Sequence, residues 1–304
     1  MNDGEQKIEI FKKHRPRLFG IAYRMLGTHA EAEDILQEAY IKWHEAEASE
    51  IENAEAWLVT IVTRLSIDRL RKASRARETY IGPWLPEPLA VSDTLSPEEE
   101  MEFASDLSLA FLFLLERLSP VERAAFLLHD IFDCGYADIA RIVGKTETAL
   151  RQIVSRARAR VRTDRTRFEA NAQEREKLIR QFSEATYAGD EKALLALFSD
   201  EFVSISDGGG KITAARKIIR DKAKIAHLFA ITGTKYHGLF KDYLYPINGE
   251  LGLLTFAEGK IFAATVFEFD GEKISAIYRV MNPDKLKALA GLTEENISNE
   301  LSQT

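Results

Sequence analysis

Two stretches of this chain carry residue types suited to gripping a polyanion, and a third carries their acidic counterpart. The first is Gly135–Arg162, GYADIARIVGKTETALRQIVSRARARVR. At 100° per residue, Thr148, Arg151, Gln152, Ser155 and Ala159 share one helix face, with Arg156, Arg158, Arg160 and Arg162 beside them. Short hydroxyls, Gln and Arg suit the base edges of a major groove, and the arginines after them suit phosphates. A solvated basic face on an ordinary helical hairpin is the bland alternative.

The second stretch is Asn53–Arg77, NAEAWLVTIVTRLSIDRLRKASRAR. Trp57, Thr60, Thr63 and Arg64 fall near one outer face, followed by Arg69, Arg71, Lys72, Arg75 and Arg77. An aromatic group beside hydroxyls and a basic run suits unstacked bases and their backbone, although Trp57 suits a core equally well. The third, AEAEDILQEAYIKW over Ala30–Trp43, places Glu31, Asp34, Gln37, Glu38 and Lys42 mostly away from an apolar stripe of Ile35, Ala39 and Trp43. Such a face confers solubility or docks on a basic partner helix.

These groups need elements to hold them. In the first stretch, Ile139, Ala140 and Val143 make one short apolar face and Leu150, Ile153, Val154, Ala157 and Val161 a second. Gly144 falls at a tight turn that needs a positive φ, and Thr146 caps the helix that follows. That spacing predicts a helix-turn-helix. The second stretch predicts one long helix with a seam of Leu58, Ile61, Val62 and Leu65, and Ile8–Tyr23 predicts another helix. Ser96-Pro97-Glu98-Glu99 and Ser119-Pro120-Val121-Glu122 each combine an N-cap, a first-turn proline and a capping-box glutamate. They place helices over 102–118 and 122–132 ahead of the helix-turn-helix, with Cys134 buried or half-buried at the second one's end. Pro83, Pro86 and Pro88 forbid a helix between the basic stretch and this unit. Trp84, Leu85 and Leu89 are too apolar for a solvated tether, so this linker is expected to dock.

Beyond a charged, helical connector over 162–176, Leu178, Phe182 and Ala185, then Leu194, Leu197 and Phe198, suggest two helices joined at Ala188-Gly189-Asp190. A short strand follows over 202–206, then a turn or open loop at Asp207-Gly208-Gly209-Gly210, and a helix over 216–229. Strands are predicted over 236–245, 251–258, 261–269 and 273–280, with hairpin turns at Asn248-Gly249 and Asp270-Gly271. Helices followed by an antiparallel meander indicate an α+β cone. The polar tail Thr293–Thr304 is expected to lack order.

The totals fit a multidomain protein: 304 residues, 45% hydrophobic and 29% charged. The net charge of −7 opposes nucleic-acid binding only as a sum. Basic residues concentrate in Arg64–Arg77 and Arg141–Arg167, acids in Glu31–Glu55 and Glu87–Glu116, and a polyanion responds to local patches. A single cysteine excludes an intramolecular disulfide and a cysteine-rich metal site. With no apolar run of membrane-spanning length and no signal-peptide core, a cytoplasmic protein without membrane contact is expected. No cofactor and no metal is expected.

In this order, an acidic helix, a basic aromatic helix, a linker and a helix-turn-helix resemble the bacterial RNA polymerase σ factors of the extracytoplasmic-function group. The resemblance covers about the first 165 residues. AEAEDILQEAY resembles the family's segment that binds the clamp helices of the polymerase's largest subunit, AWLVTIVTRLSIDRLRK its −10 recognition and melting segment, and the stretch from Leu118 to Val161 its −35 domain. Residue by residue this implies core-polymerase binding by Asp34, Gln37 and Glu38, and −10 contacts from Trp57, Thr60, Arg64, Arg69, Arg71 and Lys72, with Asp68 in the same motif. Leu65-Ser66 replace an asparagine-containing pair of many members. It implies −35 contacts from Thr146, Thr148, Arg151, Gln152, Ser155, Arg156 and Arg158.

Three short strings narrow the resemblance: WLPEP at Trp84–Pro88, DGGGK at Asp207–Lys211 and NPDKL at Asn282–Leu286. Together they are similar to the subgroup fused to a C-terminal SnoaL-like domain. The fold class implied is two all-α σ domains plus an α+β SnoaL-like cone, with boundaries at 1–78, 79–96, 97–167, 168–292 and 293–304. The fused domain is implied to regulate in cis, through a linker contact involving Trp84, Leu85, Pro86, Asp207, Gly208, Gly209, Gly210, Lys211, Asn282, Pro283 and Asp284. The implied partners are core RNA polymerase and promoter DNA. A ligand of the C-terminal domain is left open, with Asp207 and His227 as an acid/base or binding pair, or merely a loop tip and a structural histidine. Enzymatic activity is not expected. The rival from another class is a one-component transcription regulator whose cone senses a ligand.

Overall fold

The computed structural model describes residues 3–47, 51–90, 107–162 and 171–301. They form two compact units: 3–79 with 107 and 111–162, and 80–90 with 108–110 and 171–301. The capping device at Ser96–Glu99 and most of the connector over 162–176 lie outside the described residues.

The first unit is helical. α1 (Asp3–Leu26), α2 (His29–Glu45) and α3 (Ala54–Arg77) pack on one another. Gly27, with φ 75°, ends α1, and Asn53 caps α3 by accepting from the Ala56 amide at 3.0 Å. The core joins Leu18, Ala22 and Met25 of α1 to Ile35, Ala39 and Trp43 of α2 and Leu58 and Val62 of α3. Trp43 also donates its indole N–H to the Lys7 carbonyl at 2.9 Å, as a buried Trp requires.

The buried side of α3 is wider than its apolar residues predict. Leu58, Val59, Val62, Thr63, Ser66, Ile67 and Leu70 are buried, while Ile61 and Leu65 are only half-buried. Thr63 therefore belongs to the inner face, not to the outer one. The reason is tertiary: α3 packs on α1 and α2 and also on two helices of the second half, Pro120–Asp130 and Tyr136–Val143. Small polar residues suit such close crossings.

The second half begins with α4 (Leu109–Leu115) and α5 (Pro120–Asp130). The Ser119 capping box is formed, its side chain bonding the Glu122 amide while Glu122 reaches back to the Ser119 amide at 3.0 Å. α6 (Tyr136–Val143) ends at Gly144 with φ 66° and ψ 45°, and α7 (Glu147–Arg162) follows after two residues. Thr146 Oγ1 accepts from the Ala149 amide at 3.2 Å, and Leu150, Val154, Ala157 and Val161 are buried.

The second unit is α+β. α8 (Ala172–Ala188) is capped by an Asn171–Glu174 box and ends at Gly189, φ 68°; α9 (Glu191–Leu197) follows. The strands are β1 (Phe198–Asp207), β2 (Phe240–Ile247), β3 (Glu250–Ala257), β4 (Lys260–Asp270) and β5 (Lys273–Val280), in the order β1-β5-β4-β3-β2. The meander β2–β5 is antiparallel, but β1 runs parallel to β5, an edge pairing that alternation within one strand does not encode. β1 starts at Phe198, earlier than predicted, and Phe198 stacks on Phe202 at 4.0 Å.

α10 (Lys222–Lys235) crosses from β1 to β2 and starts later than predicted. Asp221 caps it by accepting from the Ala223 and Lys224 amides at 3.0 and 3.1 Å, and the preceding Ile219 instead exchanges two backbone hydrogen bonds with Ser204. Helices α8, α9 and α10 cover one face of the sheet around Phe182, Phe202, Phe229, Phe267 and Ile277. The expected hairpin at Asn248-Gly249 is present, with φ 53° and 76°. A second two-residue turn, Glu258-Gly259 at φ 51° and 74°, joins β3 to β4.

The tail departs from expectation. Glu294–Leu301 is a helix, α11, in which Ile297 is fully buried and Glu294 accepts from Lys241 at 2.7 Å and Tyr243 at 3.1 Å. Among its described side chains, Ile297 and Glu294 anchor it, too few to register in composition. Among the described residues, no helix is long and apolar enough to cross a membrane.

Candidate nucleic-acid interface

The turn at Gly144 sets the angle between α6 and α7, and the buried seam of α7 then dictates which side chains face out. Thr146, Thr148, Arg151, Gln152, Ser155 and Arg156 are all exposed. Arg151 lies over the Tyr136 ring at 4.4 Å and faces Glu147 at 3.5 Å, so its guanidinium is steered along the helix. Gln152, Ser155 and Arg156 are exposed along the same face. Arg158 is turned inward: its Nε donates to Asp130 at 2.8 Å, an ion pair that lifts its pKa. Arg160 is likewise matched, with Glu122 at 2.8 Å. The basic run thus divides into an outward-facing half and a half that fastens α7 to α5.

On α3, Trp57 is half-buried against Trp43, ring centroids 5.6 Å apart, so it serves the core while keeping an outer edge. Thr60 turns its hydroxyl back to the Ala56 carbonyl at 2.7 Å. Arg69 pairs with Asp34 of α2 at 3.5 Å and Arg71 with Asp68 at 2.9 Å, whereas Lys72 is exposed. Asp34 and Gln37 are exposed on α2 and Glu38 is half-buried, 3.9 Å from Lys42.

Arg64 has an unexpected partner. Its Nε donates to the Ile142 carbonyl at 3.1 Å and its terminal nitrogen to the Arg141 carbonyl at 3.0 Å, at the C-terminal end of α6. The last carbonyls of a helix lack partners of their own and carry the negative end of its dipole, so a guanidinium suits them. Other contacts tie the same two halves together. Arg17 donates to the Phe132 carbonyl at 2.7 Å and the fully buried Arg123 to the Met25 carbonyl at 2.8 Å, while Arg123 also pairs with Glu116 within its own half at 2.8 Å. Arg77 pairs with Glu116 as well.

In the second unit the three short strings meet. Asp207, fully buried at the end of β1, accepts from the Leu85 amide at 2.9 Å, from Lys285 at 2.7 Å and from the Tyr80 hydroxyl at 2.5 Å. Lys285 also donates to the Leu85 carbonyl and stands 3.9 Å from the Trp84 ring centroid. Asn282 donates to the Tyr80 hydroxyl at 2.9 Å. Burial and the neighbouring Asp207 push the Tyr80 phenol above the usual tyrosine range. Lys211 pairs with Asp284. Farther along, the Leu89 amide donates to Asn248 Oδ1 at 3.0 Å and the Leu89 carbonyl accepts from the Asn248 amide at 2.8 Å, and Pro86 is buried.

The glycines follow from this packing. A Cβ on Gly209 would fall 2.3 Å from the Asn282 amide nitrogen, and one on Gly210 2.8 Å from Ile81; both residues have positive φ. One on Gly208 would meet the Ile212 carbonyl at 2.3 Å. Asp207 and His227 are not a pair. His227 is exposed and bonds Glu191 at 2.9 Å, while every partner of the Asp207 carboxylate among the described residues lies in the linker, its own loop or the Asn282–Lys285 turn. Sequence reasoning missed Tyr80, because nothing in a lone tyrosine betrays that it will be buried against a carboxylate, and took Lys285 only as part of the NPDKL string, with no role of its own.

This geometry is that of a transcription protein that reads duplex DNA through a helix-turn-helix and carries a second basic, aromatic helix. The σ70 region 2 family matches residues 10–76, and σ70 region 4 matches residues 108–161. The chain is 35% identical to the ECF RNA polymerase sigma factor SigJ of Mycobacterium tuberculosis, over 92% of this chain and 93% of that one. It is 28% identical to the probable sigma factor SigI of the same species, over 92% and 94%. The crystal structure of M. tuberculosis SigJ superposes with a TM-score of 0.73 at 32% identity, over 92% of this chain and 98% of that one. The chain belongs to the extracytoplasmic-function RNA polymerase σ factors. Membership disfavours the one-component regulator, since σ factors act by binding core polymerase and promoter DNA.

Proposed function

We propose that this σ factor grips core polymerase through the acidic face of α2, with Asp34, Gln37 and Glu38 against the clamp helices of the largest subunit. Trp57, Thr60, Arg64, Arg69, Arg71 and Lys72 of α3 engage the −10 element. Thr146, Thr148, Arg151, Gln152, Ser155 and Arg156 read the −35 element, while Arg158 positions α7. The observation that carries the −35 assignment is the one-sided exposure of α7 directly after a left-handed glycine turn.

The C-terminal domain regulates in cis. The chain that joins α3 to α4 is the linker whose Leu85 backbone is clamped by Asp207 and Lys285, so the domain controls how far the two DNA-reading elements can part. Run-off transcription with core enzyme tests this, comparing the full chain, a truncation after Arg167 and a Trp84→Ala/Leu85→Ala variant. Altered promoter-dependent output in both variants supports cis control; unchanged output in both refutes it. Asp34→Lys and Glu38→Lys variants should fail to co-elute with core enzyme while keeping their helical content.

A further inference from the structure

Tyr136 joins three helices. It is the first residue of α6, its ring centroid lies 4.1 Å from that of His129 on α5, and the Arg151 guanidinium of α7 stands 4.4 Å over the same ring. The turn that delivers Tyr136 is fastened to α5 twice. The Cys134 amide donates to the Leu128 carbonyl at 2.8 Å, and His129 Nδ1 donates to the Cys134 carbonyl at 3.2 Å. A carbonyl can only accept, so this bond holds the imidazole with a proton on Nδ1. Asp133, with φ 53°, completes the reversal of the chain.

Arg151 is exposed, whereas Tyr136 and His129 are half-buried. A long exposed arginine samples many rotamers and must give up that freedom to read a base. Stacking engages the flat face of the guanidinium and leaves the N–H donors in its plane for other partners. Among the described residues only Glu147, at 3.5 Å and the outer limit of a hydrogen bond, draws on those donors. A guanidinium held against a ring with its donor edge free is prepared for the paired acceptors O6 and N7 of a guanine. Both contacts of Tyr136 come from its ring and neither from its hydroxyl.

We propose that Tyr136 is a specificity-determining positioning residue: its ring, supported by His129, sets Arg151 at the angle that reads one guanine of the −35 element. The inference rests on the proposed entry of α7 into the major groove and adds to it a residue outside that helix. Tyr136 acts through Arg151, so removing its ring lowers the preference for that guanine and leaves neighbouring base pairs alone. Loss of an exposed cation–π contact corresponds to about a two- to fivefold change, against about five- to 150-fold for loss of the arginine itself.

The experiment is in vitro transcription by holoenzyme reconstituted from core enzyme and the full chain, on a promoter library randomised across the −10 and −35 elements, each template carrying a transcribed barcode. The native chain should prefer guanine at one −35 position, and Arg151→Ala should lose that preference. Tyr136→Leu should lower it about two- to fivefold at the same position and at no other, Tyr136→Phe should retain it, and the Tyr136→Leu/Arg151→Ala variant should match Arg151→Ala alone. Partial unfolding lowers output from every template alike and leaves the base preference in place, so it does not imitate this result. His129→Ala, which removes the support of the ring, should give a smaller loss at the same position and serves as the readout should Tyr136→Leu fail to fold. A preference unmoved by both Tyr136→Leu and His129→Ala, a loss spread over all positions, an equal loss in Tyr136→Phe, or additive losses in the double variant overturns the proposal and leaves the −35 assignment standing. A native base preference in Arg151→Ala overturns the −35 assignment of Arg151 and the proposal with it.

Discussion

Arg64, on the helix matched to −10 recognition, spends its guanidinium on the Ile142 carbonyl, 3.1 Å away at the end of the first helix of the helix-turn-helix. A side chain proposed to touch promoter DNA is thereby engaged by the other DNA-reading element of the same chain. These bonds are exposed or partly buried, so each is worth about 1 kcal/mol, little enough to be exchanged for phosphate or base contacts.

Arg64→Ala should therefore separate packing from DNA binding. Hydrogen exchange at the Gly144 turn should quicken, while the melting temperature falls by only a few degrees. Transcription in a reconstituted assay should fall at the melting step and recover on a pre-melted −10 template. Full activity on duplex promoters would remove Arg64 from the −10 contacts.

The clamp on the linker should be far more sensitive. The side chain of Asp207 is 0% exposed and that of Lys285 8%, so Asp207→Ala strands a buried ammonium and should cost about 3–5 kcal/mol. Limited proteolysis should then cut between Tyr80 and Ala90, which the native chain protects. The double variant Asp207→Leu/Lys285→Met should regain much of the stability without restoring the Leu85 amide bond. Chemical denaturation of the three proteins measures this coupling.

Alkaline titration should single out two tyrosines. The phenols of Tyr80 and Tyr187 are both raised, first by burial and then by a neighbouring carboxylate, Asp207 or Asp242. A raised pKa in the fold means that the stabilisation is fully present below the unfolded tyrosine value of about 10 and is lost as pH rises above it. Phenolate absorbance from these two should therefore lag behind that of free tyrosine until the second unit unfolds. Tyr80→Phe and Tyr187→Phe should each reduce that lag by one residue.

The two kinds of contact on α7 should respond differently to substitution. Gln152→Ala should relax −35 sequence preference by about 1–3 kcal/mol at one base pair, whereas Arg156→Ala should weaken all sequences alike and lower the salt slope by about one. Arg158→Ala should instead destabilise the fold locally, since it strips Asp130 of a bidentate partner. Fluorescence anisotropy with −35 duplexes across a salt series distinguishes the three.

What the sequence determined was whatever depends on neighbours along the chain. Gly144, Thr146 and the Leu150–Val161 seam are local, so the helix-turn-helix and its outward face were legible from spacing alone. So were the Ser119 cap, the hairpin glycines and the docking tendency of Trp84 and Leu85. What only the tertiary structure decided depends on groups far apart in the chain. The parallel pairing of β1 with β5, the inward turn of Thr63, the diversion of Arg64 and Arg158, and the dissolution of the Asp207–His227 pair are all of this kind.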